Sequence, residues 1–236
     1  KPDEGSHGDG FYKFTYEDGK YQLNYQEVTK QQVLDILEDI DNQYLVTEYI
    51  NMCDELKAVY DGAVNTVRMI VFKKDGKNPQ IGNAYVRFGS KKTGAVDNVG
   101  AGGMTATIDV ATGHFHDAKI VMNNSIEDCP IHPDTGVPID GYLPHWEQVK
   151  QQVLDVTKSI KQLEFFGVDL AVTNDGIKFP EINRFPDYPA VEKYTKPTRE
   201  YLLYKLAGKK HHYGYDVTPN KTLVHLPKRD SERGKS

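Results

Sequence analysis

At 236 residues, 38% of them hydrophobic, the chain is long enough to bury a substantial core and too apolar to stay unfolded. A formal charge of -5 lacks the basic surface that a phosphate backbone selects, so no nucleic-acid partner is expected. No run approaches 18 consecutive apolar residues, which excludes a helical membrane span, and two distant cysteines, Cys53 and Cys129, make neither a disulfide framework nor a zinc site; a cytoplasmic protein with reduced thiols is the expectation.

The opening "KPDEGSHGDG" is a glycine-rich loop that starts on lysine, and reads as the start of a piece cut from a longer protein. "FYKFTYEDGKYQLNY" predicts two strands about Asp18-Gly19. "TKQQVLDILEDI" predicts a helix capped by Thr29, with Val33, Leu34, Leu37 and Ile40 on one face. "YLVTEYI" reads as a short apolar strand, and the only clean domain boundary lies near residues 46 to 62. "NTVRMIVFKK" and "IGNAYVRFGS" predict two strands joined by "DGKNPQ", and "AVDNVGAGGMTATIDVATGHF" a glycine-rich loop, a strand and a turn. Residues 123 to 144 read as an irregular excursion. "WEQVKQQVLDVTKSIKQL" is the strongest helix, with Val149, Val153, Val156 and Ile160 at helical spacing. "KPTREYLLYKLAGKK" predicts a last helix with Gly208 as its cap, ahead of a charged tail over 228–236.

Between those last two helices, "GVDLAVTNDGIKFPEINRFPD" predicts a β-hairpin carrying acids inward. Asp169 alternates with the apolar Val168 and Leu170, and Glu181 shares a face with Ile177, Phe179 and Asn183. A two-residue loop of Asp175-Gly176 sets Asp169 and Glu181 on opposite faces. A three-residue loop, Asn174-Asp175-Gly176 with Gly176 left-handed, sets them directly opposite each other. Opposed carboxylates repel at a Cβ separation of about 5 Å, and a divalent cation turns that repulsion into a binding site. Asn183 adds a neutral oxygen. The alternative is a solvated face where the acids are harmless. Pro180, which has no N–H, favours an edge or bulged position.

An aspartate, a turn and then Glu-x-Asn resembles the metal site of the ATP-grasp enzymes. The resemblance runs along almost the whole chain and is closest to the sugar-transfer-associated ATP-grasp proteins, through the order of "EYI", "DEL", "NTVRMIVF", "VRFGS", "DNVGAGG", "IDVATG", "HPDTG", "GYLPHW" and the hairpin. It implies an α+β fold of two subdomains holding ATP between them. Residues 1–48 would be an N-terminally incomplete nucleotide-covering part, and 49–227 a larger part with the metal site. It implies a Mg-ATP-dependent ligase joining a carboxylate to an amine or hydroxyl through an acyl phosphate, in polysaccharide or glycoconjugate biosynthesis. The alternatives are an ATP-grasp kinase and a non-catalytic nucleotide-binding module.

Carried over by residue, the resemblance makes Asp169, Glu181 and Asn183 the Mg2+ ligands and Arg68 the catalytic guanidinium that holds the transferring group. Lys1 and Gly8, with Gly5 and Gly10, become the flap over the phosphates. Glu48 and Ile50 face adenine through their backbone, and Asp54, or Glu55 if the alignment slips by one, takes the ribose. Asn65, Arg87, Asn98 and Gly103 are candidate substrate contacts, with Asp97 and Gly102 in the same loop; Asn65 has the alternative of steadying its strand. His132 and His145 are possible acid–base groups, against the reading of ordinary loop histidines. Nucleotide and a small-molecule or glycoconjugate substrate are the implied partners, and an upstream region of the parent protein is expected to pack on this one.

Overall fold

The computed structural model describes residues 10–39, 44–122, 125–184, 186 and 196–206. It falls into two units, Lys1–Lys193 and Tyr194–Ser236. In the second, the last predicted helix is observed as α4, Lys196–Leu206. Gly208 and the 228–236 tail lie outside the described residues. No described helix is long and apolar enough to cross a membrane.

The first unit opens with a three-stranded antiparallel sheet, β1 (Phe14–Glu17), β2 (Lys20–Leu23) and β3 (Gln26–Val28). The predicted turn closes β1 onto β2 through Asp18 and Gly19, both at positive φ, as a two-residue hairpin loop requires. Helix α1 (Lys30–Glu38) starts where expected. The Thr29 hydroxyl accepts from Gln32 N at 3.2 Å, and Gln32 Oε1 accepts from Thr29 N at 2.8 Å. Its apolar face is not core, however: no residue of α1 is buried, and Leu34 and Leu37 are exposed. The predicted strand over "YLVTEYI" is also absent. Tyr44 makes a single bridge, and Val46 is 90% exposed, so a short apolar run alone did not supply a sheet neighbour.

After α2 (Asp54–Val59) the chain builds an antiparallel sheet of β4 (Val67–Lys73), β5 (Pro79–Phe88), β6 (Met104–Ile108), β7 (His114–Met122), β8 (Ser125–Asp128), β9 (Gly141–Tyr142), β10 (Phe165–Thr173) and β11 (Gly176–Asn183). The order is β11-β10-β4-β5-β6-β7-β8, with β9 also on β7. Two of these strands, β8 and β9, lie in the stretch that reads as irregular, where four and two residues leave no periodicity to detect.

Period-two alternation divides this sheet into two faces. Val67, Met69 and Val71, Ala84, Val86 and Phe88, and Val168, Leu170 and Val172 point to a core shared with α3 (Trp146–Ser159). Burying each larger aliphatic or aromatic side chain there contributes about 2 kcal/mol. Helix α3 turns Trp146, Val149, Val153 and Thr157 inward. Thr157 occupies the position expected of Val156, because its hydroxyl is satisfied within the helix by Val153 O at 2.7 Å; Val156 sits at the stripe's margin, exposed. The opposite sheet face carries Arg68, Tyr85, Arg87, Thr105 and Asp169, and there the fold departs from an apolar interior.

Candidate functional site

The β10–β11 hairpin opposes Asp169 to Glu181, but not through the expected loop. Thr173 pairs with Gly176, so the loop is two residues, Asn174-Asp175, one shorter than predicted. Gly176 begins β11 at φ 147° instead of closing a left-handed turn. The register then shifts between Asp169 and Ala171, where Leu170 faces both Phe179 and Pro180. That extra residue restores the pairing that a longer loop would have given. A bulge is tolerated here because β11 is an edge strand and Pro180 has no N–H to offer the ladder. The loop is held by Asn174 Oδ1, which accepts from Asp54 N at 3.1 Å.

Three side chains expected to lie together do so. Asn183 Nδ2 donates to Glu181 Oε1 at 3.0 Å and reaches Asp169 Oδ2 at 3.5 Å. Glu181 is exposed, whereas Asp169 is 2% exposed.

Asp169 is also the acceptor for two arginines. Arg68 lies opposite it on β4 and donates from Nε to Oδ1 and from Nη2 to Oδ2 at 2.8 Å, a bidentate pair. Arg87 comes from the next strand and donates from Nη2 to Asp169 Oδ2 at 3.0 Å. Its guanidinium also bonds Thr66 Oγ1, 3.0 Å from Nε, and lies 3.4 Å from Asp97 Oδ2. Asp97 is fixed in turn by the backbone N–H of Thr66 at 2.9 Å and by the Thr66 hydroxyl. Burial pushes the Asp169 carboxyl up, but the Arg68 hydrogen bonds and the charges of both guanidiniums outweigh it, leaving its pKa below the ordinary carboxylate value. Burial likewise lowers Arg68 and Arg87, and their acidic partners more than reverse this. Two carboxylates, Asp97 and Asp169, thus face the two guanidiniums, with Glu181 on the far side of Asp169.

Gly167 makes room for this arrangement. A Cβ there would fall 2.7 Å from Pro186 Cβ and 3.0 Å from Arg68 Cδ.

The remaining candidates lie apart. Asn65 is fully buried and its amide is used internally: Nδ2 donates to Tyr60 O at 2.6 Å and Leu56 O at 3.3 Å, and Oδ1 accepts from Gly89 N at 3.2 Å. The expected substrate contact therefore gives way to its alternative, a residue that steadies the strand. Asn98 caps a short turn by accepting from Gly100 N at 2.9 Å. Gly103 is a packing glycine, since a Cβ would meet Phe88 O at 2.8 Å and Asn98 O at 2.9 Å. Glu48 is exposed and pairs with Lys178 of β11 at 2.8 Å, Ile50 is half-buried, and Asp54 and Glu55 are exposed in the first turn of α2. Lys1, Gly5 and Gly8 lie outside the described residues.

His132 is buried. Its Nε2 meets Gly89 O at 2.9 Å, its Nδ1 accepts from Asp134 N at 3.3 Å, and its ring stacks on Tyr60, so no ring nitrogen is left for proton transfer. His145 is an exposed, left-handed residue at the start of α3. Thr66, which ties Arg87 to Asp97, was missed; its place two residues before Arg68, on the same strand face, was the available signal.

No group of three or more His, Cys, Asp or Glu side chains among the described residues is arranged to hold a metal ion. The set at the hairpin is instead two carboxylates and an amide, in kind the donors a hard, oxygen-seeking cation takes. Glu181 is open to solvent, Asn183 lies beside it, and Asp169 stands behind them. The family model for sugar-transfer-associated ATP-grasp proteins matches residues 1–190. No curated protein and no solved structure matches the chain.

Proposed function

Because the chain belongs to the sugar-transfer-associated ATP-grasp family, we propose that it is a Mg-ATP-dependent ligase joining a carboxylate to an amine or hydroxyl nucleophile in polysaccharide or glycoconjugate biosynthesis. The observation that carries this reading is the meeting of Arg68, Arg87, Asp169, Glu181 and Asn183 on one sheet face. Glu181 and Asn183 would hold magnesium with Asp169, the Asn183 amide turning its oxygen inward. Mg-ATP, when bound, supplies the phosphoryl group and neutralises the charge that develops as it moves. Arg68 and Arg87 bind and orient the anionic reactant, through paired donors that match carboxylate and phosphoryl oxygens. The protein contributes position and charge and no nucleophile of its own.

On this reading residues 1–48 cover the nucleotide and 49–227 form the larger part. Lys1 and Gly8 lie over the phosphates, Glu48 and Ile50 present backbone to adenine, Asp54 meets the ribose, and the loop of Asn98 and Gly103 borders the substrate. The test is ADP release with candidate carboxylates in the presence of hydroxylamine, where an acyl phosphate gives a hydroxamate. Asp169→Asn and Glu181→Gln should each lower turnover by roughly 100-fold or more. Full turnover in both variants would refute the assignment, and ADP release without hydroxamate would indicate a kinase.

A further inference from the structure

The sheet order gives Asp169 two sets of neighbours. On one side, β4 and β5 present Arg68 and Arg87; on the other, β11 presents Glu181 and Asn183. In this structure both carboxylate oxygens are bonded to the arginine side, and Oδ2 also meets the longer contact from β11. Oδ1 accepts from Arg68 and Oδ2 from both arginines, while the Asn183 amide is at 3.5 Å. Among the described residues Asp169 is the only hydrogen-bond acceptor of the Arg68 side chain, and both groups are nearly solvent-free. An entering anion therefore meets guanidiniums that already face a negative charge.

We propose that Asp169 masks an anion site at Arg68, flanked by Arg87, and that the Arg68 fork becomes available to a phosphate or carboxylate ligand only when the Asp169 carboxylate leaves it for the β11 side. The bidentate bond to Arg68 uses both Asp169 oxygens, so drawing the carboxylate toward β11 breaks that fork. The device makes anion binding depend on what occupies the β11 side. By reciprocity, whatever draws Asp169 toward β11 binds more tightly when the anion is present. The identity of that occupant as magnesium rests on the proposed function; the mask itself is tested without magnesium and without turnover.

The experiment is titration calorimetry of the whole chain with tripolyphosphate in EDTA. Wild type is expected to bind weakly and Asp169→Asn at least about tenfold more tightly, within the range of couplings between linked sites. Glu181→Gln, which removes one negative charge while leaving the arginines paired, is expected to gain clearly less. A folded Asp169→Asn that binds no more tightly than wild type, or an equal gain from Glu181→Gln, overturns the proposal. A buried Arg68 without its acid is a threat to folding, so a second comparison sets Arg87→Gln against Arg87→Gln with Asp169→Asn. Tighter binding by the double variant supports unmasking of Arg68, and no gain overturns it. Absence of Mg-ATP binding to wild type would count against the ligase reading alone, since the EDTA series contains neither magnesium nor ATP.

Discussion

Asp169 is the residue on which the site turns, and its titration has a defined sign. Its folded pKa lies below the unfolded value, so its ion pairs add stability above the unfolded value, near pH 4, and that stability is lost as pH falls through the folded pKa. Acid unfolding followed by circular dichroism should therefore show a steeper loss below pH 4 in wild type than in a folded Asp169→Asn. Equal acid limbs would mean that the carboxylate gains nothing from its arginines. Arg68→Lys keeps the charge but removes the fork, and leaves the buried carboxylate short of a donor. It is expected to cost about 1–3 kcal/mol of stability, read from the urea midpoint at unchanged slope. The acids' convergence was legible in the sequence, because alternation along two short strands gives their faces. Their capture by two arginines was not. Arg68 and Asp169 are 101 positions apart, and no local pattern states which strand will lie next to which.

Among elements, the hairpin shows how a correct pairing can follow from a wrong loop. The bulge at Phe179-Pro180 compensates for a bend one residue short, and a register argument based on loop length alone has no access to it. Deleting Pro180 removes the extra residue and leaves Glu181 opposite Asp169, so Mg-ATP binding should survive; its loss would show that the bulge itself aims the glutamate. Gly167 holds a comparable place on β10. Gly167→Ala inserts a methyl against Pro186 and the Arg68 stem, and should destabilise by about 1–3 kcal/mol in urea unfolding. Helix α1 was legible in its cap and not in its packing. A capping box is a local contract between two residues, whereas burial depends on what lies beyond the helix.

At the scale of the molecule, composition and alternation placed the main strands of the large sheet and its α3 cover, which is most of the core. They did not separate Lys1–Lys193 from Tyr194–Ser236, although Pro186, Pro189 and Pro197 flank that position. Proposed Mg-ATP binding makes a prediction at this level. A ligand that binds only the folded state at 100 times its Kd adds about 2.7 kcal/mol. Mg-ATP should therefore raise the melting temperature of wild type, with the rise lost in Glu181→Gln.

The two halves of the site stand in different relations to folding. Arg68 and Asp169 are sealed inside the sheet, so most replacements there lower the amount of folded protein along with any activity. Glu181 sits on an edge strand, open to water and bonded to its neighbour Asn183. Replacements at Glu181 can silence the protein while its cellular abundance holds. Copies of this gene that have drifted out of use should then carry their first scars on the rim, with the inner pair still intact.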